Sequence, residues 1–117
     1  MEKIHIIKKI IFLPETFAIA NVSVYSLLKE SGYFEIYEQV SETDIFEMLV
    51  QYPECIKQWL SFSEDKRSSS GWYFKQGDNG EYIVGIQGNV KTINYLDEVE
   101  ACAAFIKREI EDIRKIS

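Results

Sequence analysis

The sequence predicts an α+β fold, with a mainly antiparallel sheet of three to four strands packed with about four helices. Apolar residues recur at helical spacing near the C-terminus, and a Gly-Asp-Asn-Gly turn separates two strand-like runs. Helical segments occupy most of the first half, before these strands begin. This order is typical of α+β proteins rather than of alternating parallel folds. At 117 residues, the chain is expected to form a single domain over residues 1–117.

An isoleucine-rich run at residues 4–13 predicts a strand, because β-branched residues favour that conformation. Apolar residues would lie on both faces of this strand, as in a strand that is covered on both sides. Pro14 would end this strand. Residues 15–31 predict a helix, with either Thr16 or Asn21 as its N-cap, and Gly32 follows where a left-handed residue can close it. Residues 33–40 alternate in polarity and predict a short strand or an extended link.

Two further helices are predicted after this segment. Ser41 is placed to cap the first one, with Asp44 three positions later in a variant of the capping box. Pro53 breaks that helix and suits the first turn of the second. The polar run at residues 63–71 predicts the helix end and an exposed loop. The apolar stripes of the two helices are Ile45, Met48, Leu49 and Tyr52, and then Ile56, Trp59, Leu60 and Phe62.

A β-hairpin is the clearest local signal in the sequence. Residues 72–76 and 81–87 read as strands, and Asn79-Gly80 lies in the turn between them. Residues 89–95 alternate and predict a third strand. The final helix is predicted over residues 97–116, with Asp97 at its N-cap. Its apolar stripe is Val99, Cys102, Ala103, Ile106, Ile110 and Ile113.

The charge balance disfavours nucleic acid as a partner. Nineteen acidic residues against thirteen basic ones give a formal net charge of −6, which repels phosphates. Lys66 and Arg67 precede aromatic residues, but Glu64 and Asp65 lie directly beside them. An acidic surface attracts a basic protein partner, although ordinary solubility also explains an excess of this size.

The sequence contains no recognisable catalytic, cofactor or metal motif, so we predict a protein that is not an enzyme and needs no cofactor or metal. His5 is the single histidine and lies in the predicted first strand, and phosphate-binding glycine motifs are lacking. Glu109, Glu111 and Asp112 stand beside basic residues and are interpreted as a solvated helix face. Cys55 and Cys102 have no metal-binding spacing and are expected to be buried thiols.

The N-terminal residues do not resemble a signal peptide, because lysines interrupt the apolar run and no small-residue cleavage site follows. No apolar run is long enough to cross a membrane. We therefore expect a cytoplasmic protein without a membrane partner.

A protein-binding face can be assembled from the polar loop and the hairpin. Aromatic anchors ringed by carboxylates suit a basic partner. The alternative is that Trp72, Phe74 and Tyr82 point into the core, since strand parity puts Trp72 and Phe74 on one face and Tyr73 and Lys75 on the other. The candidate binding residues are Glu64, Asp65, Trp72, Tyr73, Asp78, Glu81 and Tyr82.

Three segments give the chain a resemblance to a known group of proteins. They are SVYSLLKESGYFE (residues 23–35), YPECIKQWLSFSEDKRSSSGWYF (residues 52–74) and LDEVEACAAFIKREIEDI (residues 96–113). Together they resemble immunity proteins of bacterial contact-dependent growth inhibition and other polymorphic toxin systems. The resemblance implies a cytoplasmic antitoxin that binds a cognate toxin domain, often a basic nuclease, and blocks its active site or substrate path.

Two alternatives remain open from the sequence. A regulatory or adaptor domain would present a similar binding face without a toxin partner. A small enzyme would instead hold carboxylates in a concave pocket that raises their pKa values.

Overall fold

The computed structural model describes residues 2–65 and 71–115, and these confirm the α+β class. The antiparallel sheet has three strands, but the described residues form seven α-helices where about four were expected. A short 3-10 helix, Tyr37–Gln39, follows the fourth helix. The elements are α1 (Lys3–Ile11), α2 (Leu13–Ile19), α3 (Val24–Glu30), α4 (Tyr33–Ile36), α5 (Glu42–Gln51), α6 (Glu54–Asp65), β1 (Trp72–Gln76), β2 (Tyr82–Ile86), β3 (Thr92–Tyr95) and α7 (Glu98–Arg114).

Helix α7 is the element on which the other layers pack. It contacts all three strands on one side and α3, α5 and α6 on the others, and every residue from 101 to 106 is buried. Asp97 caps it by accepting a hydrogen bond from the Glu100 N–H, as predicted. The Phe105 ring stacks on Phe74 of the sheet at 5.7 Å and meets Trp59 of α6 edge-on at 6.0 Å. These aromatic contacts join the sheet to the helical layer.

The predicted hairpin is confirmed with nearly the expected bounds. The strand order is β1-β2-β3, with both pairs antiparallel, so β2 is central. Trp72 pairs with Ile86 and Phe74 with Val84, which fixes the side of the sheet that each residue faces. Gly80 adopts a positive φ of 82° in the turn, a conformation that glycine tolerates best.

The predicted strand at residues 4–13 is wrong, because these residues form α1 and the start of α2. Ile6, Ile7, Ile10 and Ile11 are buried, while His5, Lys8 and Lys9 are exposed, which is a helical rather than an alternating pattern. Packing of this stripe against the core outweighs the strand preference of isoleucine. Pro14 accordingly lies in the first turn of α2 instead of ending a strand.

Two predictions for the next region also need correction. The single helix expected over residues 15–31 is divided into α2 and α3, because Ser23 starts a new helix by accepting a hydrogen bond from the Ser26 N–H. Gly32 closes α3 with a φ of 96°, as expected. Residues 33–39 are helical rather than extended, and only Val40 has extended backbone. Tyr33 turns inward, is fully buried and donates a hydrogen bond to Glu111 of α7.

Helices α5 and α6 follow the predicted pattern. Ser41 and Asp44 form a reciprocal capping box at the start of α5. Trp59 of α6 is buried and its Nε1 donates a 2.9 Å hydrogen bond to the carbonyl of Ile11, which ties α6 to α1. Of the predicted polar loop at residues 63–71, residues 63–65 belong to α6 and residues 66–70 lie outside the described residues.

Candidate functional site

The seven candidate residues do not form one continuous face. Glu64 and Tyr73 line a shared groove between the end of α6 and the outer side of the hairpin. Asp65 lines a different groove on the other side of α6. Trp72 and Tyr82 pack against the core, and the remaining two, Asp78 and Glu81, belong to the hairpin turn or its edge.

The first of these surfaces, which we call the hairpin groove, has a volume of about 770 Å³. Its walls come from the last two turns of α6, from β1, and from the segment that follows β2. The residues that line it include Leu60, Ser63, Glu64, Tyr73 and Lys75. Ser63 helps to hold the two walls together, because its Oγ accepts a 2.7 Å hydrogen bond from the Phe74 N–H at the free edge of β1.

The position of the Tyr73 ring depends on the residue opposite it. Tyr73 pairs with Gly85 across the strands. A Cβ atom added to Gly85 would lie 2.6 Å from the Tyr73 hydroxyl oxygen. Glycine therefore lets the ring lie flat across the outer face of the sheet. Lys75 Nζ is 5.6 Å from the ring centroid and adds a cation–π contact. Strand parity predicted this shared outer face for Tyr73 and Lys75.

The structure places Trp72 and Tyr82 on the opposite, inner face with Phe74, which is the alternative considered from the sequence. The Arg108 guanidinium lies 5.3 Å from the Trp72 ring centroid and also forms a salt bridge with Glu42. The Tyr82 hydroxyl donates a 3.0 Å hydrogen bond to the Glu98 carboxylate, and this bond raises the pKa of Tyr82. Both rings are half-buried, so each presents only part of its surface to a partner.

The two carboxylates of the turn differ in their surroundings. Glu81 is half-buried beside Gly77, and its Oε2 accepts a hydrogen bond from the Asn79 N–H. This carboxylate therefore supports the turn. Asp78 is exposed at the tip. Among the predicted acidic residues, Glu64, Asp65 and Asp78 are exposed to solvent, and Lys75 adds a positive charge to the hairpin groove.

A second and larger surface was missed by the sequence analysis. We call it the helical groove; its volume is about 1030 Å³, and it lies between α2, the start of α3, α6 and α7. Its walls are predominantly apolar and include Phe17, Ile19, Val24, Phe62 and Ile113. Polar residues of the lining include Glu15, Lys57, Gln58, Asp65 and Glu109.

The helical groove was missed because residues 15–31 were interpreted as one helix. A continuous helix would place Phe17 on the same buried stripe as Val24, but α2 ends at Ile19 and the chain changes direction before α3. Phe17 and Ile19 are consequently exposed at one side of the groove. The available signal was Ser23, a favourable N-cap residue in the middle of the supposed helix.

Glu109 also departs from the sequence interpretation. It was assigned to a solvated helix face, yet it is fully buried, whereas Glu111 and Asp112 on the same helix are half-buried. Gln58 on the facing side of the groove has a buried Oε1 that accepts no hydrogen bond from the residues described. Polar groups are thus present beneath the apolar walls of the helical groove.

A polar cluster lies at another face of α7, next to α4. The buried Tyr33 hydroxyl donates a hydrogen bond to Glu111 and accepts a 2.9 Å hydrogen bond from Lys107 Nζ. Burial raises the pKa of Tyr33 and lowers that of Lys107. Burial alone would raise the pKa of Glu111, but hydrogen bonds from Arg114 and Tyr33 outweigh it and hold that pKa below its usual range. Because Tyr33 is fully buried, this cluster fastens α4 to α7.

The two cysteines are buried free thiols, as predicted. Burial raises the pKa of Cys55 to about 12 and that of Cys102 well above its usual value. Within residues 2–65 and 71–115, no group of three or more histidine, cysteine, aspartate or glutamate residues is arranged to hold a metal ion. The helices of this same part include none that is both long enough and apolar enough to cross a membrane.

Comparisons with known proteins give no relative from which a role can be transferred. No family model, no curated protein and no solved structure matches the chain.

Proposed function

We propose that this protein is a cytoplasmic immunity protein that binds a cognate bacterial toxin domain and blocks its active site or substrate path. The observation that carries the proposal is the hairpin groove, in which the Tyr73 ring and the Glu64 carboxylate lie together on a concave surface. An aromatic anchor beside a charged group is typical of the residues that dominate binding energy in protein interfaces. The resemblance to immunity proteins supports the same function.

The chemistry of the partner follows from charge. The chain has a net charge of −6, and Glu64 and Asp78 are exposed on the hairpin side of the molecule. A basic domain would be attracted to this side and would associate faster at low salt. Nuclease domains are commonly basic because they bind phosphates. We therefore propose a basic toxin domain, of the nuclease class, as the partner.

In the proposed complex, Tyr73 is the central contact. Gly85 leaves space for its ring and Lys75 contacts that ring, so little conformational freedom is lost on binding. Glu64 and Asp78 pair with lysine or arginine residues of the toxin. Trp72 and Tyr82 lie on the opposite face of the sheet and Asp65 lines the helical groove, so these three residues are outside the proposed contact. Glu81 supports the hairpin turn that carries Asp78.

The test is growth rescue in cells that express the toxin domain encoded beside the gene for this protein. Co-expression of the unaltered protein is expected to restore growth, and the Glu64→Lys/Asp78→Lys double variant is expected to lose protection. The matched control is Glu35→Lys/Glu47→Lys, which makes the same charge change at two exposed residues elsewhere. Equal protection by both double variants would contradict the proposed surface. A tight complex with a neighbour that is not toxic would instead favour the adaptor function.

A further inference from the structure

The helical groove has an unusually apolar and exposed margin. Phe17 is 41% exposed, Ile19 is 86% exposed, and Val22 in the following turn is 46% exposed. Phe17 and Ile19 line the groove on the side formed by α2, and Val22 follows them in the segment that leads to α3. Apolar residues exposed together beside a concave surface are typical of a binding site for another macromolecule.

The volume of the groove is large for a small-molecule site. Its volume of about 1030 Å³ is at the upper end of ligand pockets, and exposed apolar side chains extend the surface beyond the groove itself. One wall is formed by α2 and the start of α3, and the other by α6. An amphipathic helix commonly binds between two such walls by laying its apolar face into the groove.

Charge defines the other face of the bound helix. Two exposed carboxylates, Glu15 and Asp65, line the groove, and Glu109 is a third acidic lining residue. Lys57 is the single basic residue in the described lining. A partner helix should therefore carry lysine or arginine beside its apolar face, since negative charges there would face Glu15 and Asp65.

We propose that the helical groove binds an amphipathic, basic α-helix of a partner protein. Its apolar face packs on Phe17, Ile19 and Phe62, and its flanking lysines or arginines lie near Glu15 and Asp65. Gln58 supplies a polar contact at the bottom of the groove. No described residue donates to its Oε1, so the amide can turn toward a donor of the partner without losing a hydrogen bond at that oxygen. This surface is separate from the hairpin groove, and the proposal does not depend on the toxin hypothesis.

The test uses a fluorescent model peptide of about four helical turns that presents leucines on one face and lysines on the flanks. Fluorescence anisotropy at low and at moderate salt measures its Kd for the full chain. The key variant is Ile19→Asp, which alters an exposed side chain and should leave the fold intact. The matched control is Leu96→Asp, because Leu96 is an equally exposed aliphatic residue, 93% exposed, outside the helical groove.

We expect Ile19→Asp to weaken peptide binding by at least about tenfold, whereas Leu96→Asp leaves the Kd within about twofold of the unaltered protein. A peptide of the same pattern with glutamate in place of lysine should bind at least about tenfold more weakly than the lysine peptide. Circular dichroism establishes that both variants are folded.

Three results would overturn the proposal. The first is an equal loss of affinity in Ile19→Asp and Leu96→Asp, which would mean nonspecific adsorption of the peptide. The second is equal binding of the lysine and glutamate peptides, which would remove the argument from charge. The third is self-association of the unaltered protein that Ile19→Asp abolishes, as measured by sedimentation, because the occupant would then be a second copy of this chain.

Discussion

The hairpin groove and the helical groove share one wall, α6, but they are built from different kinds of contact. In the hairpin groove, cross-strand pairing puts Tyr73 opposite Gly85, and Ser63 secures the edge of β1. The helical groove depends on α2, α6 and α7, which are far apart in the sequence, and its walls are mostly apolar. One surface therefore follows from local geometry, and the other from tertiary packing.

The position of two neighbouring acidic residues illustrates this difference. Glu64 and Asp65 are adjacent at the end of α6, yet Glu64 lines the hairpin groove and Asp65 lines the helical groove. Successive helical residues point about 100° apart, so α6 can present one carboxylate to each side. Substitutions on α6 can therefore affect either groove separately or both together.

The largest effect is expected where both grooves depend on the same side chain. Trp59 is buried in α6 and is hydrogen-bonded to the Ile11 carbonyl, so Trp59→Ala should lower the free energy of unfolding by about 3–5 kcal/mol. Urea denaturation measures this loss. The control is Leu60→Ala on the same helix, at a half-buried residue, which should cost less. A loss of unfolding free energy below about 1 kcal/mol for Trp59→Ala would contradict the view that Trp59 stabilises the helix that both grooves share.

A substitution at Gly85 should disturb the hairpin groove alone. An added Cβ would meet the Tyr73 hydroxyl at 2.6 Å, so Gly85→Ala should displace the ring and cost about 1–3 kcal/mol. The same substitution in a Tyr73→Ala background should cost less, because the ring that obstructs it is gone. A double-mutant cycle with denaturant unfolding measures the difference. If the losses in free energy of unfolding from the two substitutions simply added, the Tyr73 ring would not be the cause of the loss at Gly85.

Gln58 provides a test confined to the helical groove. Gln58→Leu removes a buried oxygen that accepts no hydrogen bond from the described residues, so it should raise the free energy of unfolding by about 1 kcal/mol. Thermal and urea unfolding measure the gain. Gln51→Leu is the matched control on an exposed glutamine and should change stability by less than about 0.5 kcal/mol. Destabilisation by Gln58→Leu would indicate that the amide makes a necessary contact.

The smallest effect is expected from the polar cluster, which lies outside both grooves. The pKa of Glu111 is held below its usual value of about 4.3, so its contribution to stability is complete above that pH and is lost as the pH falls through the folded-state pKa. The stability difference between the unaltered protein and Glu111→Gln should therefore shrink below about pH 4. Urea unfolding at several pH values measures it. If the difference in free energy of unfolding between the two proteins stayed constant from pH 7 to pH 3, the lowered pKa of Glu111 would be contradicted.

The second half of the fold could be predicted because its signals are local. Asn79-Gly80 specifies a hairpin turn, strand parity separates Phe74 from Tyr73, and Asp97 caps a helix whose apolar spacing is unambiguous. The first half could not be predicted in this way. The isoleucines of α1 favour a strand in isolation, and only packing against the core makes them helical.

The candidate site, like the fold, was predictable only where the signals are local. Tyr73 and Glu64 were identified, and the structure brings them together because Ser63 and Phe74 join α6 to β1. Trp72 and Tyr82 were proposed as anchors, but their inner-face positions depend on α7, to which Arg108 and Glu98 belong. The helical groove was not predictable, since its existence requires the break between α2 and α3 at Ser23.

The most direct test of the proposed function is co-purification of the tagged protein with the product of the gene adjacent to its own, followed by native mass spectrometry. We expect a stoichiometric complex with a basic C-terminal domain that stops growth when it is expressed alone. The Glu64→Lys/Asp78→Lys variant should release that domain at lower salt than the Glu35→Lys/Glu47→Lys control. A protein that purifies alone, beside a neighbour that is not toxic, would contradict the immunity function.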